Sequence, residues 1–174
     1  LSGHIPIIGL SRATRDEVFV LSEDIDGRVL ADIIQTGNKH EPEWQMQVVR
    51  VGLAIASILT QTHEKNYVHL GLRPTGILVS SEGPAGGKVR VQLLETETFR
   101  RGFVGDRTIS GSDRPEDNSL DSAYYVAPEQ LFGAGTPASD VYSLGVILFQ
   151  ALNLRLPFER DIIVELVNAR EPRG

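Results

Sequence analysis

The sequence predicts an α+β fold in which short strands accompany a mainly helical body. Three observations carry the prediction. Short β-rich runs lie at residues 5–10 and 18–21, apolar residues recur at helical steps through residues 43–63, and residues 141–152 form a nearly unbroken apolar run. Strand-length runs bounded by turn residues, and longer segments with a 3.6-residue period, are the signals that separate β from α structure.

The first two runs flank the polar stretch 11–17 and read as a hairpin. Beyond the acidic stretch 23–27, Val29, Leu30, Ile33 and Ile34 suit one face of a short helix that ends near Gly37. Trp44, Val48, Val51, Ile55, Ile58 and Leu59 recur mostly at three- and four-residue steps. They predict an amphipathic core helix of about twenty residues, with Gly52 a mild weak point inside it. Residues 76–80 and 88–94 read as a second hairpin, because the Ser-Glu-Gly-Pro-Ala-Gly-Gly sequence between them is turn chemistry.

Residues 96–122 are polar, with few apolar anchors and alternating charges such as Arg107, Asp113, Arg114 and Glu116, and so predict a long surface loop. Structure is expected to resume at Ala123. Ser139 and Asp140 stand where an N-cap would open a buried helix over residues 141–152, and Asp161 stands where it would cap a last helix to about Ala169. Without an internal repeat or a dividing linker, residues 1–174 are expected to form a single domain.

Composition narrows the function. A chain of 174 residues, 41% hydrophobic and 23% charged, can bury one core of its own. The absence of cysteine excludes a disulfide framework and thiolate metal sites, and four scattered histidines suggest no metal cluster. A formal charge of −6 without a basic stripe makes nucleic acid an unexpected partner. The longest apolar stretches, residues 51–59 and 146–152, are too short to span a bilayer, so no membrane association is expected and a cytoplasmic location is. A start at Leu1 rather than methionine suggests a segment of something longer.

The most informative stretch is YVHLGLRPTGILV at residues 67–79. It follows His63-Glu64-Lys65-Asn66 and precedes Ala127-Pro128-Glu129 and Ser139-Asp140-Val141-Tyr142-Ser143-Leu144-Gly145. In this order and at these spacings the strings resemble the eukaryotic-type Ser/Thr protein kinase family, over nearly the whole chain. The resemblance implies a protein-kinase-like fold with an incomplete small lobe. Residues 1–25 would be a remnant of the small lobe and hinge, and residues 26–174 a mainly helical large lobe lacking its last helices. The phosphate loop and the ATP-pairing lysine of the family would lie before Leu1.

Against the family signature H-R-D-L-x-x-x-N, His69 keeps the histidine and Leu70 stands at the arginine that would receive an activation-loop phosphate. Gly71 stands at the aspartate that accepts the substrate proton, and Gly76 at the asparagine that holds a magnesium ion. No catalytic residue is therefore assigned. Arg73 keeps the positive charge of the family's lysine near the γ-phosphate. Glu95-Thr96-Glu97 aligns with the metal-binding D-F-G triplet, which leaves Glu95 as the candidate metal ligand. If nucleotide binds, Glu23 and Ile25 would supply the hinge and Leu78 the floor of its pocket.

The resemblance gives His69, Glu129 and Asp140 structural roles: Asp140 holds the loop backbone, and Glu129 pairs in the family with an arginine from a later segment. It implies a catalytically impaired, pseudokinase-like domain acting in protein binding or regulation. The alternative is a Ser/Thr kinase segment of a longer chain that transfers the ATP γ-phosphate with atypical residues. No cofactor is expected on the first reading; ATP and Mg²⁺ belong to the second. Expected partners are other proteins, or other domains of a longer parent chain.

Overall fold

Two helices that cross at a glycine organise the chain. The computed structural model describes residues 7–12, 18–22, 26–82, 88–94, 100–101, 123–132, 134–159 and 161–162. Strands β1 (Ile7–Arg12) and β2 (Val18–Ser22) form an antiparallel hairpin, with Leu10 opposite Val20 and Arg12 opposite Val18. The first strand runs to Arg12 rather than Leu10, because the ladder continues through the polar Ser11 opposite Phe19. Strand β3 (Arg28–Val29) leads directly into helix α1 (Leu30–Gln35). Val29, expected on the helix, is extended and pairs with Leu78, so the helix starts one residue later.

Helix α2 (Pro42–Glu64) is followed by β4 (Tyr67–Val68), a 3₁₀ turn at Pro74–Gly76, and strands β5 (Ile77–Glu82) and β6 (Lys88–Leu93). The three-stranded antiparallel sheet has the order β3-β5-β6. Gly76, expected at the start of a strand, instead ends the turn, with its N–H bonded to the Arg73 carbonyl at 3.1 Å. Within the stretch read as one long loop, β7 (Arg100–Arg101) pairs antiparallel with β4. Backbone pairing needs no apolar pattern, and so a two-residue strand left no mark in the sequence.

Helix α3 (Pro137–Asn153) begins earlier than its apolar run suggested. Its N-cap is Thr136, not Ser139 or Asp140, and the Thr136 N–H donates to Ser139 Oγ at 3.0 Å. Proline at the first helical position suits this start, since its missing donor would be unpaired there in any case. Ser139 and Asp140 thus fall inside the first turn and are fully buried. The helix is not buried all round either: Leu144, Ile147 and Ala151 face the core, whereas Val141 is 60% exposed and Leu152 39% exposed.

The apolar face of α2 is buried as its spacing predicted, and joins Leu30, Ile34, Leu72, Ile77, Leu93 and Ile147 in one core. Gly52 lies where α2 meets α3: a Cβ there would fall 2.8 Å from Leu148 Cδ2. The supposed weak point therefore makes room for Leu148 of the facing helix. Trp44 Nε1–H donates to the Ala151 carbonyl at 2.8 Å, tying the first turn of α2 to the last of α3. An apolar cavity of about 50 Å³ remains beside this bond, between Leu30, Val79 and Ile147.

The indole also covers Gly37, where a Cβ would meet Trp44 Cη2 at 2.3 Å. Gly37→Ala is expected to destabilise the fold by about 1–3 kcal/mol, the usual cost of overpacking a fixed neighbour. Denaturant unfolding checks it, and an unchanged midpoint would show that the ring can move aside. No helix among the described residues is long and apolar enough to cross a membrane. Residues 161–162 are helical; the rest of the expected last helix lies outside the described residues.

Candidate functional site: a degenerate catalytic loop

The first turn of α3 carries Asp140 into the interior beside the loop after β4. A buried carboxylate is costly unless its oxygens are satisfied. Asp140 Oδ2 accepts from the His69 N–H at 2.8 Å and from His63 Nε2 at 2.8 Å, and Oδ1 accepts from the Leu70 N–H at 2.7 Å. One side chain thus joins the end of α2, the start of α3 and the loop. It acts on the loop backbone, and not as a helix cap.

Leu70 has φ of 62°, in the left-handed region, which costs an L-residue roughly 1–2 kcal/mol. Both of its peptide groups are held. Its N–H goes to Asp140, and its carbonyl accepts from Gln130 Nε2 at 2.8 Å. Gln130 Oε1 accepts in turn from the Ala127 N–H at 3.0 Å. The Leu70 side chain lies against Gly135, where a Cβ would come within 2.6 Å of Leu70 Cδ1.

The Gly71 N–H donates to His69 Nδ1 at 3.2 Å, so that nitrogen carries no proton. His69 is buried, Leu72 enters the core, and Arg73 is half-buried. Gly76 is buried too: its N–H is bonded to Arg73, and its carbonyl accepts from the Leu94 N–H at 2.8 Å. Neither Gly71 nor Gly76 offers a side-chain oxygen. Among the described residues no three histidines or acids come together as a metal site. Leu78 is half-buried on β5, and Gly27 sits close over it, since a Cβ there would fall 3.2 Å from Leu78 Cγ.

Glu129 has a partner within the chain. Its Oε1 accepts from Ser139 Oγ at 2.6 Å, at the start of α3. This differs from the family arginine pairing, and it follows from the early start of α3, which turns Ser139 toward the Pro128–Phe132 turn. Burial, and then the charge of Glu129, push the neighbouring Tyr142 phenol above its usual range. Ser143 Oγ donates to the Tyr125 carbonyl at 2.6 Å, and Tyr125 Oη donates to Gln150 Oε1 at 2.7 Å. The segment preceding α3 is thereby fastened along it.

The structure brings His69, Leu70, Gly71 and Asp140 into one cluster, links Glu129 to it through Ser139, and places Arg73, Gly76 and Leu78 along the same loop and strand. Glu23, Ile25 and Glu95 lie outside the described residues. The sequence assigned no role to His63 or Gln130, and gave Ser139 only that of a helix cap. Two signals were available: His63 opens the string leading to the loop, and Gln130 directly follows Ala-Pro-Glu.

A loop pinned to a core-facing helix by a buried aspartate, beside a small antiparallel sheet and a second long helix, is the large-lobe arrangement of a protein kinase. The chain belongs to that family: the sequence model described as "Protein kinase domain" matches residues 2–171. Its relatives include Probable serine/threonine-protein kinase PknB of Lactococcus lactis, 28% identical over 167 residues, which cover 94% of this chain and 24% of that protein. Serine/threonine-protein kinase PrkC of Bacillus subtilis is 26% identical over 153 residues, covering 87% and 21%. Serine/threonine-protein kinase D2 of Homo sapiens is 28% identical over 155 residues, covering 85% and 16%. The chain spans a quarter or less of the length of these relatives.

Proposed function

We propose that the chain is a protein-kinase domain impaired in phosphoryl transfer, whose work is to bind or regulate other proteins or other domains of a longer chain. One observation carries this reading: the loop's supports are retained while its reacting positions are glycine. Asp140 holds the His69–Leu70 backbone with two bonds, yet Gly71 and Gly76 provide neither a proton acceptor nor a magnesium ligand. Phosphoryl transfer depends on positioning and on charge neutralisation by such groups, so losing both lowers the rate by roughly several orders of magnitude. Gly71 and Gly76 offer no side-chain oxygen to a bound magnesium pair.

The Ser/Thr kinase relatives favour a second reading, transfer of the ATP γ-phosphate to protein with atypical residues. Arg73 suits it, as a positive charge near the phosphate position; it would still need a base that the loop does not supply.

The test is transfer of radiolabelled γ-phosphate from ATP to the protein itself and to a generic Ser/Thr substrate. Incorporation is expected to equal the no-enzyme background. Turnover well above background, abolished by Arg73→Ala, would establish the second reading instead. The Gly71→Asp, Gly76→Asn double variant asks whether the remaining scaffold can still support the reaction.

A further inference from the structure

Gln130 is bonded at both ends, and neither bond belongs to the helix or sheet framework. We propose that Gln130 is a positioning residue that fixes the left-handed Leu70 turn and couples the Pro128–Phe132 turn to the loop, with Leu70 against Gly135 as a second, apolar joint. The loop and the segment before α3 then move as one unit, whether or not phosphate is transferred.

The argument starts from the chemistry of the side chain. At one end Gln130 must accept, because its partner is the Ala127 N–H; at the other it must donate, because its partner is the Leu70 carbonyl. The partners therefore fix the amide orientation. Glutamate would keep the acceptor and lose the donor, leucine would lose both, and asparagine is one methylene shorter. Glutamine is the uncharged side chain of this length that can meet both demands.

The Leu70 backbone gives the bridge its purpose. A leucine at φ of 62° persists only where its surroundings hold it. Asp140 holds the N–H side of this residue, and without Gln130 the carbonyl side would lose its bond. The apolar joint is as close. A Cβ on Gly135 would fall 2.6 Å from Leu70 Cδ1 and 2.7 Å from Cδ2, so the leucine methyl groups occupy the space a side chain at position 135 would need. Leu70 thus meets residues 130 and 135 through different atoms, one contact polar and one apolar.

Amide hydrogen exchange of the full chain, resolved residue by residue, tests the coupling. Gln130→Glu is expected to speed exchange at His69, Leu70 and Gly71 by roughly five- to tenfold, the effect of one lost buried hydrogen bond on a local opening, while Ala127 stays near its original rate. Gln130→Leu is expected to speed the loop and Ala127 together. Unchanged loop amides in Gln130→Glu would overturn the proposal. So would a uniform rise through α2 and α3, which would mean that Gln130 contributes only to global stability. Gly135→Ala approaches the turn from the apolar joint, and serves if the glutamine variants do not fold: faster exchange at Leu70 with Ala127 unchanged supports the coupling, and no change at Leu70 overturns it. None of these readouts involves ATP, so they succeed or fail separately from the proposed function.

Discussion

Asp140→Ala is expected to remove about 3–5 kcal/mol of folding stability, the range seen when one partner of a buried charged or strongly hydrogen-bonded pair is deleted. Three donors lose their acceptor at once: the backbone groups of His69 and Leu70, and the His63 ring. Each buried group left unpaired costs about 1–3 kcal/mol, and the three share one cavity, so their sum overstates the total. Small domains carry only about 5–15 kcal/mol in all, so this single change consumes a large fraction of the reserve. Asp140→Asn keeps the shape and one acceptor, and is expected to lose less. Urea unfolding of the three proteins measures the series. A loss below about 1 kcal/mol for alanine would mean that the loop is held by other contacts.

Trp44→Ala is expected to cost about 3–5 kcal/mol, because it removes the largest aromatic surface in the core and leaves a void that cannot fully collapse. The loss is concentrated where α2 meets the end of α3, at the bond to the Ala151 carbonyl, and the residual cavity already beside it would grow. Trp44→Phe separates the contributions. It retains most of the apolar area but strands the Ala151 carbonyl, for an expected loss of about 1–3 kcal/mol. If phenylalanine proves neutral, water or a shifted side chain satisfies that carbonyl and the bond is not a source of stability.

The elements with strong periodicity were legible in the sequence. The positions Trp44, Val48, Val51, Ile55, Ile58 and Leu59 are all buried, because a 23-residue amphipathic helix repeats its signal enough times to outweigh local noise. Short elements were less legible. Val29 went to a strand through its pairing with Leu78, and Arg100–Arg101 paired with Tyr67–Val68, through backbone bonds that side-chain pattern does not encode. The start of α3 was misread because Ser139 and Asp140 are typical capping residues, whereas here their side chains serve the Glu129 turn and the loop.

The candidate site divides in the same way. Its missing groups, at Gly71 and Gly76, could be read letter by letter from the strings that place them. Its joints could not: Gln130 reaches Leu70 across 60 positions of sequence, and His63 reaches Asp140 across 77. Contacts of that kind are fixed by packing and leave no spacing rule in a single sequence.

Those separations also dictate how the molecule must assemble. The β5-β6 hairpin closes between near neighbours, and such closure takes microseconds. The Trp44–Ala151 bond instead spans 107 positions, so α2 cannot find α3 until the stretch between them has been synthesised and searched. Folding should therefore be slow relative to its helix content, with helix docking as the late event. The same separations limit change: the connection between the two helices carries the loop that Asp140 holds and the core residues Leu72, Ile77 and Leu93, so packing fixes its course.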